Sequence, residues 1–168
     1  MKSIIYFIDE IYEDLELWYP KIRLEEEGHK VVVAGPISGQ IYKGKHGYPC
    51  KADVAINEVK GSSYDAIAIP GGYAPDKLRR IPKVLELVRE FDAQKKVVAF
   101  ICHAGWVPIS AKVLKGRKAT GASAIKDDLE NAGATWKDEA VVVDKNLISS
   151  RTPADLPHFA KAIIAALG

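Results

Sequence analysis

The chain has 168 residues, 48% of them apolar and 27% charged, and a formal net charge of +2. That length suits a single domain over residues 1–168, with room for a real core and one site. The near-balanced charge, with Lys and Arg interleaved among acids, lacks the massed cations of a nucleic-acid binder, so no nucleic-acid partner is inferred. No apolar stretch approaches the roughly 20 residues of a membrane span, and the opening lacks the basic-then-apolar pattern of a leader, so a cytoplasmic protein off the membrane is expected. Two cysteines, Cys50 and Cys102, are too few for a disulfide framework and are expected as free thiols.

In chain order, strand and helix patterns alternate. Ile4 to Ile8 reads as a first strand, and Glu13 to Glu27 as a helix in which Pro20 suggests a break or a fresh start. Gly28 closes it. Val31 to Ala34 is the next buried run, and Gln40 to Val54 alternates like a small hairpin outside the sheet core. Ala66 to Ile69 is a third core strand, ended by Pro70-Gly71-Gly72, and a helix follows at about Pro82 to Ala93. Val97 to Ile101 is a continuous apolar strand, and from Ala104 to Lys115 the spacing of Trp106, Ile109, Val113 and Leu114 is helical. A helix at Asp127 to Asn131 stops at Gly133. Strands Ala140 to Val143 and Leu147 to Ser150 then precede a last helix, Pro153 to Leu167. Such alternation predicts a doubly wound, mainly parallel α/β sheet sandwiched by helices.

Cys102 is the most informative position. It stands between a buried strand and a helix start, where open α/β sheets place their ligands. A thiol is useful as thiolate, so its usual pKa of about 8.5 is expected to fall here, beside a helix N-terminus and His103. The neighbouring strand ends supply the acids from Asp9 to Asp14 and the Gly71-Gly72 pair. One backbone N–H of that glycine pair, with that of His103, could form an oxyanion pocket. A carboxyl group from the first strand's end could hydrogen-bond the sulfur.

The motifs Ala99-Phe100-Ile101-Cys102-His103-Ala104, Ile69-Pro70-Gly71-Gly72, Tyr12-Glu13-Asp14-Leu15-Glu16 and Gly44-Lys45-His46-Gly47-Tyr48 resemble those of the ThiJ/PfpI family, within the glutamine-amidotransferase-like superfamily. Gly116-Arg117-Lys118, the run from Ile125 to Ala134 and the run from Ser149 to Leu156 extend the resemblance over the whole chain. It implies a flavodoxin-like fold with a nucleophile elbow at Cys102, His103 as its partner, and Glu13 as the acid touching the sulfur. It also implies oxyanion amides at Gly72 and His103, and a homo-oligomer. In the peptidase-like branch a glutamate from a neighbouring subunit orients the histidine; here that position is Asp76, one methylene shorter. The elbow departs from the G-x-nucleophile-x-G pattern, because Phe100 and Ala104 occupy the flanks and the glycine is displaced to Gly105.

The resemblance implies a cysteine-dependent hydrolase acting on reactive carbonyls, glycation adducts or peptides in stress protection. Relatives of this kind are described as deglycases, glutathione-independent glyoxalases and intracellular peptidases. The alternative is a redox sensor or chaperone-like stress protein whose Cys102 is oxidised without turnover. A glutaminase role needs a His-x-Glu after the nucleophile, which His158-Phe159-Ala160 does not supply. His29, His46 and His158 lack zinc-site spacing, so neither a metal nor a cofactor is expected. Thr152-Pro153-Ala154-Asp155 reads as a helix cap, and Trp18, Trp106 and Trp136 as core or interface residues.

Overall fold

The computed structural model describes residues 1–168. Its elements are β1 (Ser3–Phe7), α1 (Asp14–Glu26), β2 (Lys30–Gly35), β3 (Ile41–Lys43), β4 (Pro49–Lys51), β5 (Val54–Ala55), β6 (Ala66–Ile69), α2 (Ala74–Leu78) and α3 (Pro82–Ala93). There follow β7 (Val97–Ile101), α4 (Trp106–Ala111), β8 (Lys118–Ala119), α5 (Lys126–Asn131), β9 (Thr135–Trp136), β10 (Val141–Asp144), β11 (Leu147–Ser150) and α6 (Leu156–Leu167).

Seven strands form one sheet in the order β10-β11-β7-β6-β1-β2-β5. All pairs are parallel except β10 with β11, which form a hairpin at one edge. Next to the central β6 lies β7, paired to β6 on one side (Val98 with Ile67) and β11 on the other (Val98 with Leu147). All five of its residues are buried, the signature of a strand covered on both faces. Helix α1 packs against α6, and α3 packs against α4, giving the two helical layers. The carboxyl ends of β1, β6 and β7 therefore share one sheet edge, and the site is built there.

Pro20 lies inside α1 without breaking it. A proline at this position leaves the carbonyl four residues earlier, that of Glu16, without its helical donor. The Tyr6 hydroxyl supplies the missing bond, donating to Glu16 O at 2.5 Å from the buried face of β1. One sheet residue thereby offsets the cost of the proline and fixes the turn of α1 that carries Glu16.

Several boundaries differ from the expectation for local reasons. The helix from Ala104 is shorter: residues 102–105 form a 3₁₀ turn, α4 ends at Ala111, and Lys112 adopts φ 61. The short helix α2 and the two-residue pair β8–β9 carry too little periodicity to be read from sequence. Thr152 makes no side-chain cap, and Asp155 instead receives the Arg151 guanidinium at 2.9 and 3.0 Å. The hairpin β3–β4 stands outside the main sheet as expected, but Val54, expected to end it, begins β5 in the main sheet beside β2. Tyr12 ties it in, bridging to Gly44 at the hairpin and to Gly72 at the glycine turn.

Candidate active site

Cys102 sits at φ 60, in the left-handed region, immediately after the extended Ile101 (φ −134). A non-glycine residue there costs about 1–2 kcal/mol, a strain that marks a position held for function. The turn is clamped from both sides. Ala122 N–H donates to Cys102 O at 3.2 Å, and a Cβ on Gly121 would fall 3.0 Å from that same oxygen. The displaced glycine also has its reason, since a Cβ on Gly105 would fall 3.0 Å from Ile125 Cδ1. Phe100, on the other flank, is fully buried core.

The glycine turn after β6 brings the rest of the site against the thiol. A Cβ on Gly71 would fall 2.8 Å from Cys102 Cβ, so only glycine lets this backbone pass so close. Gly72, at φ 76, directs its N–H toward the Cys102 sulfur, as His103 does with its own. The two amides expected to form an oxyanion pocket thus converge on the atom that would react. A Cβ on Gly72 would lie 2.5 Å from both Glu13 N and Ile11 O. Gly72→Ala is therefore expected to lower stability by about 2–3 kcal/mol and to displace the amide, read as a lower denaturation midpoint together with lost turnover.

The acid against the sulfur is Glu16, not Glu13. Glu13 is the N-cap of α1; its Oε2 accepts the Glu16 N–H at 3.0 Å, and its Oε1 lies 3.6 Å from His46 Nε2. Glu16, one turn further on, is fully buried and accepts the Gly71 N–H on Oε2 at 2.7 Å. Its Oε1 has no hydrogen-bond partner, although the carboxyl lies close enough to Cys102 for each group to affect the other's proton. Burial pushes the Glu16 pKa up to about 8, against the opposing pull of the Gly71 N–H. Both acids stand on one stretch of sequence, and only the helix phase tells which one turns inward.

The thiol differs from expectation too. Burial, and then the Glu16 carboxylate, push Cys102 up to about 12, although the His103 and Gly72 amides pull the other way. Desolvation outweighs the helix start, which here is only a 3₁₀ turn. The sulfur and Glu16 form a coupled pair: burial makes both hold their protons more tightly, and the carboxyl gives up its proton before the thiol does. In the singly protonated state the proton can sit on Glu16 and leave a thiolate.

His103 Nδ1 is 3.2 Å from Cys102 Sγ, and its ring packs edge-on against Trp106 at 5.2 Å. Burial, and then the cation of Lys45, hold its pKa below the usual imidazole value, so it is neutral and able to accept a proton. Asp76 does not join these groups within the chain. It is exposed on α2 and pairs with Arg80 at 3.0 Å, one turn along.

A cavity of about 330 Å³ opens onto the sulfur, lined among others by Glu16, Lys45, Tyr73, Cys102, His103 and Trp106. Sequence reasoning did not assign Lys45, Tyr73 or Trp106 to the site. The Gly44 to Tyr48 motif was the signal for Lys45, since Gly44 lets the hairpin tip pass close to Asp14 and Gly47, at φ 90, turns it. Glu13, Asp14 and His46 also gather there, with one ligand-type atom each inside 4.8 Å. Asp14, however, already accepts the His46 and Tyr48 N–H groups at 2.8 and 2.9 Å, which explains the cluster as the hairpin's anchor. Cys50 is buried at the hairpin, its thiol pushed up to about 11 by burial, and forms no part of the cavity.

Comparison with known proteins gives the family of the chain. A protein from Pyrococcus furiosus named deglycase PfpI is 47% identical over 154 residues, covering 92% of each chain. The Escherichia coli protein/nucleic acid deglycase 2 is 39% identical over 169 residues, covering 99% of this chain and 98% of its own. A two-domain protein of Anabaena variabilis, containing DJ-1/ThiJ/PfpI-like and ferritin-like domains, superposes with a TM-score of 0.98 at 44% identity, over the whole of this chain and 48% of that one. The model of the DJ-1/PfpI family matches residues 2–166, and the chain belongs to that family.

Proposed function

We propose that this chain is a cytoplasmic, cysteine-dependent deglycase that removes early adducts of methylglyoxal and glyoxal from amines, with glutathione-independent glyoxalase chemistry on the free aldehydes. The observation that carries this reading is the convergence of Glu16, His103 and two amides on a sulfur held in a left-handed elbow. Such a group can attack a carbonyl-derived carbon while Glu16 and His103 carry the protons.

On an aminocarbinol the Cys102 sulfur, its proton taken up by Glu16, forms the S–C bond as the amine leaves. His103 is placed to relay the proton that the amine needs. The resulting hemithioacetal moves one hydrogen from C1 to C2 through an enediol, which oxidises C1 and reduces C2 without an external oxidant. Water then cleaves the thioester to lactate and the free thiol, and the Gly72 and His103 amides stabilise the oxyanion formed on the way. Free methylglyoxal enters the same sequence by direct addition of the sulfur.

The cavity of about 330 Å³ is at the lower end of small-molecule pockets and suits such adducts better than a peptide chain. A redox-sensor role calls for an exposed thiol, and Cys102 is half-buried at the wall of this cavity. The reading includes a homo-oligomer, supported by the exposed apolar side chains of Leu15, Ile22, Tyr48 and Tyr73.

The test is a lysine-containing peptide pre-treated with methylglyoxal and then incubated with the protein without glutathione. Release of lactate and recovery of the unmodified peptide mass are expected. Cleaved peptide bonds would establish the peptidase reading instead; an unchanged adduct would overturn deglycation.

A further inference from the structure

A second cavity, of about 590 Å³, shares Trp106 with the thiol cavity. Its wall carries three cations, Arg79, Lys112 and Lys115, against the single carboxylate of Asp128. None of the three cations takes part in an ion pair within the chain. The one acid is already engaged, accepting the Trp106 indole N–H at 2.9 Å.

The aromatic wall and the arginine are fixed in advance. Arg79 is half-buried, donates Nε–H to Ser110 Oγ at 2.9 Å and lies 5.4 Å from the Trp106 ring centre. Its terminal N–H groups remain available as a planar fork, the geometry that matches a phosphate. Lys112 and Lys115 are exposed at the end of α4 and just beyond it, where they supply point charges. Packing of the rest of the molecule does not require this arrangement: surface cations are normally interleaved with acids, as they are along α1, where Lys21 pairs with Glu25.

We propose that this groove is a subsite for a phosphate-bearing extension of the substrate whose reacting carbon sits at Cys102. The proposal relies on the deglycase reading for the chemistry at the sulfur. The groove's charge and its junction at Trp106 are independent of it. Two sources could bring the phosphate: a nucleotide on the amine side of an adduct, or a triose phosphate on its carbonyl side.

The test uses the full chain with Cys102→Ser, so that binding is measured without turnover. Guanosine 5′-monophosphate is compared with guanosine, and glycerol 3-phosphate with glycerol, by calorimetry at low and physiological salt, while the Trp106 indole signal is followed by NMR. At least one phosphate compound is expected to bind fivefold or more tightly than its neutral partner, less so as salt rises, and to shift the indole signal. The pair that shows the difference identifies the source. Lys112→Ala combined with Lys115→Ala, both on the exposed surface, is expected to weaken that binding about fivefold. Equal binding within both pairs, or a preference untouched by the double substitution, would overturn the subsite. If the preference is found while the neutral peptide adduct is not turned over by the unsubstituted protein, the subsite stands and the deglycase reading fails.

Discussion

Cys102→Ser is expected to reduce lactate release from methylglyoxal by at least about a thousandfold, with the fold intact. A hydroxyl in this position is a far weaker acid than the thiol, so passing its proton to Glu16 is much more costly. The shorter C–O bond also draws the nucleophile back from the two amides that converge on the sulfur. Serine keeps the backbone of the elbow and the Ala122 bond to the residue 102 carbonyl, so the thermal midpoint should move by only a few degrees. Rates and midpoints measured side by side decide the matter. A variant retaining more than a tenth of the activity would show that the reaction does not pass through the sulfur.

Glu16→Gln is the second large effect, and it runs in opposite directions for activity and stability. The active form of the Glu16–Cys102 pair carries one proton, so turnover should rise as pH increases through about 8. Glutamine cannot take the thiol's proton, and a loss of about 10²–10⁴-fold in kcat is expected, together with loss of that rising limb. The folded carboxyl binds its proton more tightly than a free one, at about 8 against an ordinary 4.5. Its contribution to stability is therefore fully present below about 4.5 and is lost as pH rises through about 8. Above that pH the ionised, buried carboxylate costs on the order of 4 kcal/mol. Glutamine removes the cost while still accepting the Gly71 N–H, so the variant should be the more stable protein at pH 8 and gain little near pH 4.5. Denaturant titrations at the two pH values test this; a variant less stable at pH 8 would contradict the protonation scheme.

Much of the fold was legible because its signals are local and strong. The apolar runs at β6 and β7, the proline that opens α3 and the glycines that end β6 fix the centre of the sheet and the elbow without long-range information. The parallel edge was less visible, since a two-residue strand such as β5 is defined only by its partner. At the site, the thiol, the histidine and the glycine pair could be placed because each sits at a strand end. The choice between Glu13 and Glu16 could not be made in the same way. It depends on the phase of α1, which is set by the Glu13 cap and by the Tyr6 hydroxyl that replaces the bond lost to Pro20. The direction of the Cys102 shift was missed because sequence shows a helix start and a histidine but not the depth at which the sulfur is buried.

Tyr12 joins the outlying hairpin and the glycine turn through single bridges to Gly44 and Gly72. The cavity is thereby assembled from two parts of the chain, the sheet edge and the hairpin tip. The nucleophile and its amides belong to the sheet edge, where a changed side chain disturbs the core. Lys45 and His46 belong to a tip that enters the main sheet through no strand of its own. Insertions or exchanges between β3 and β4 can reshape what the cavity admits while the reacting atoms keep their places, so one elbow can serve a succession of substrates.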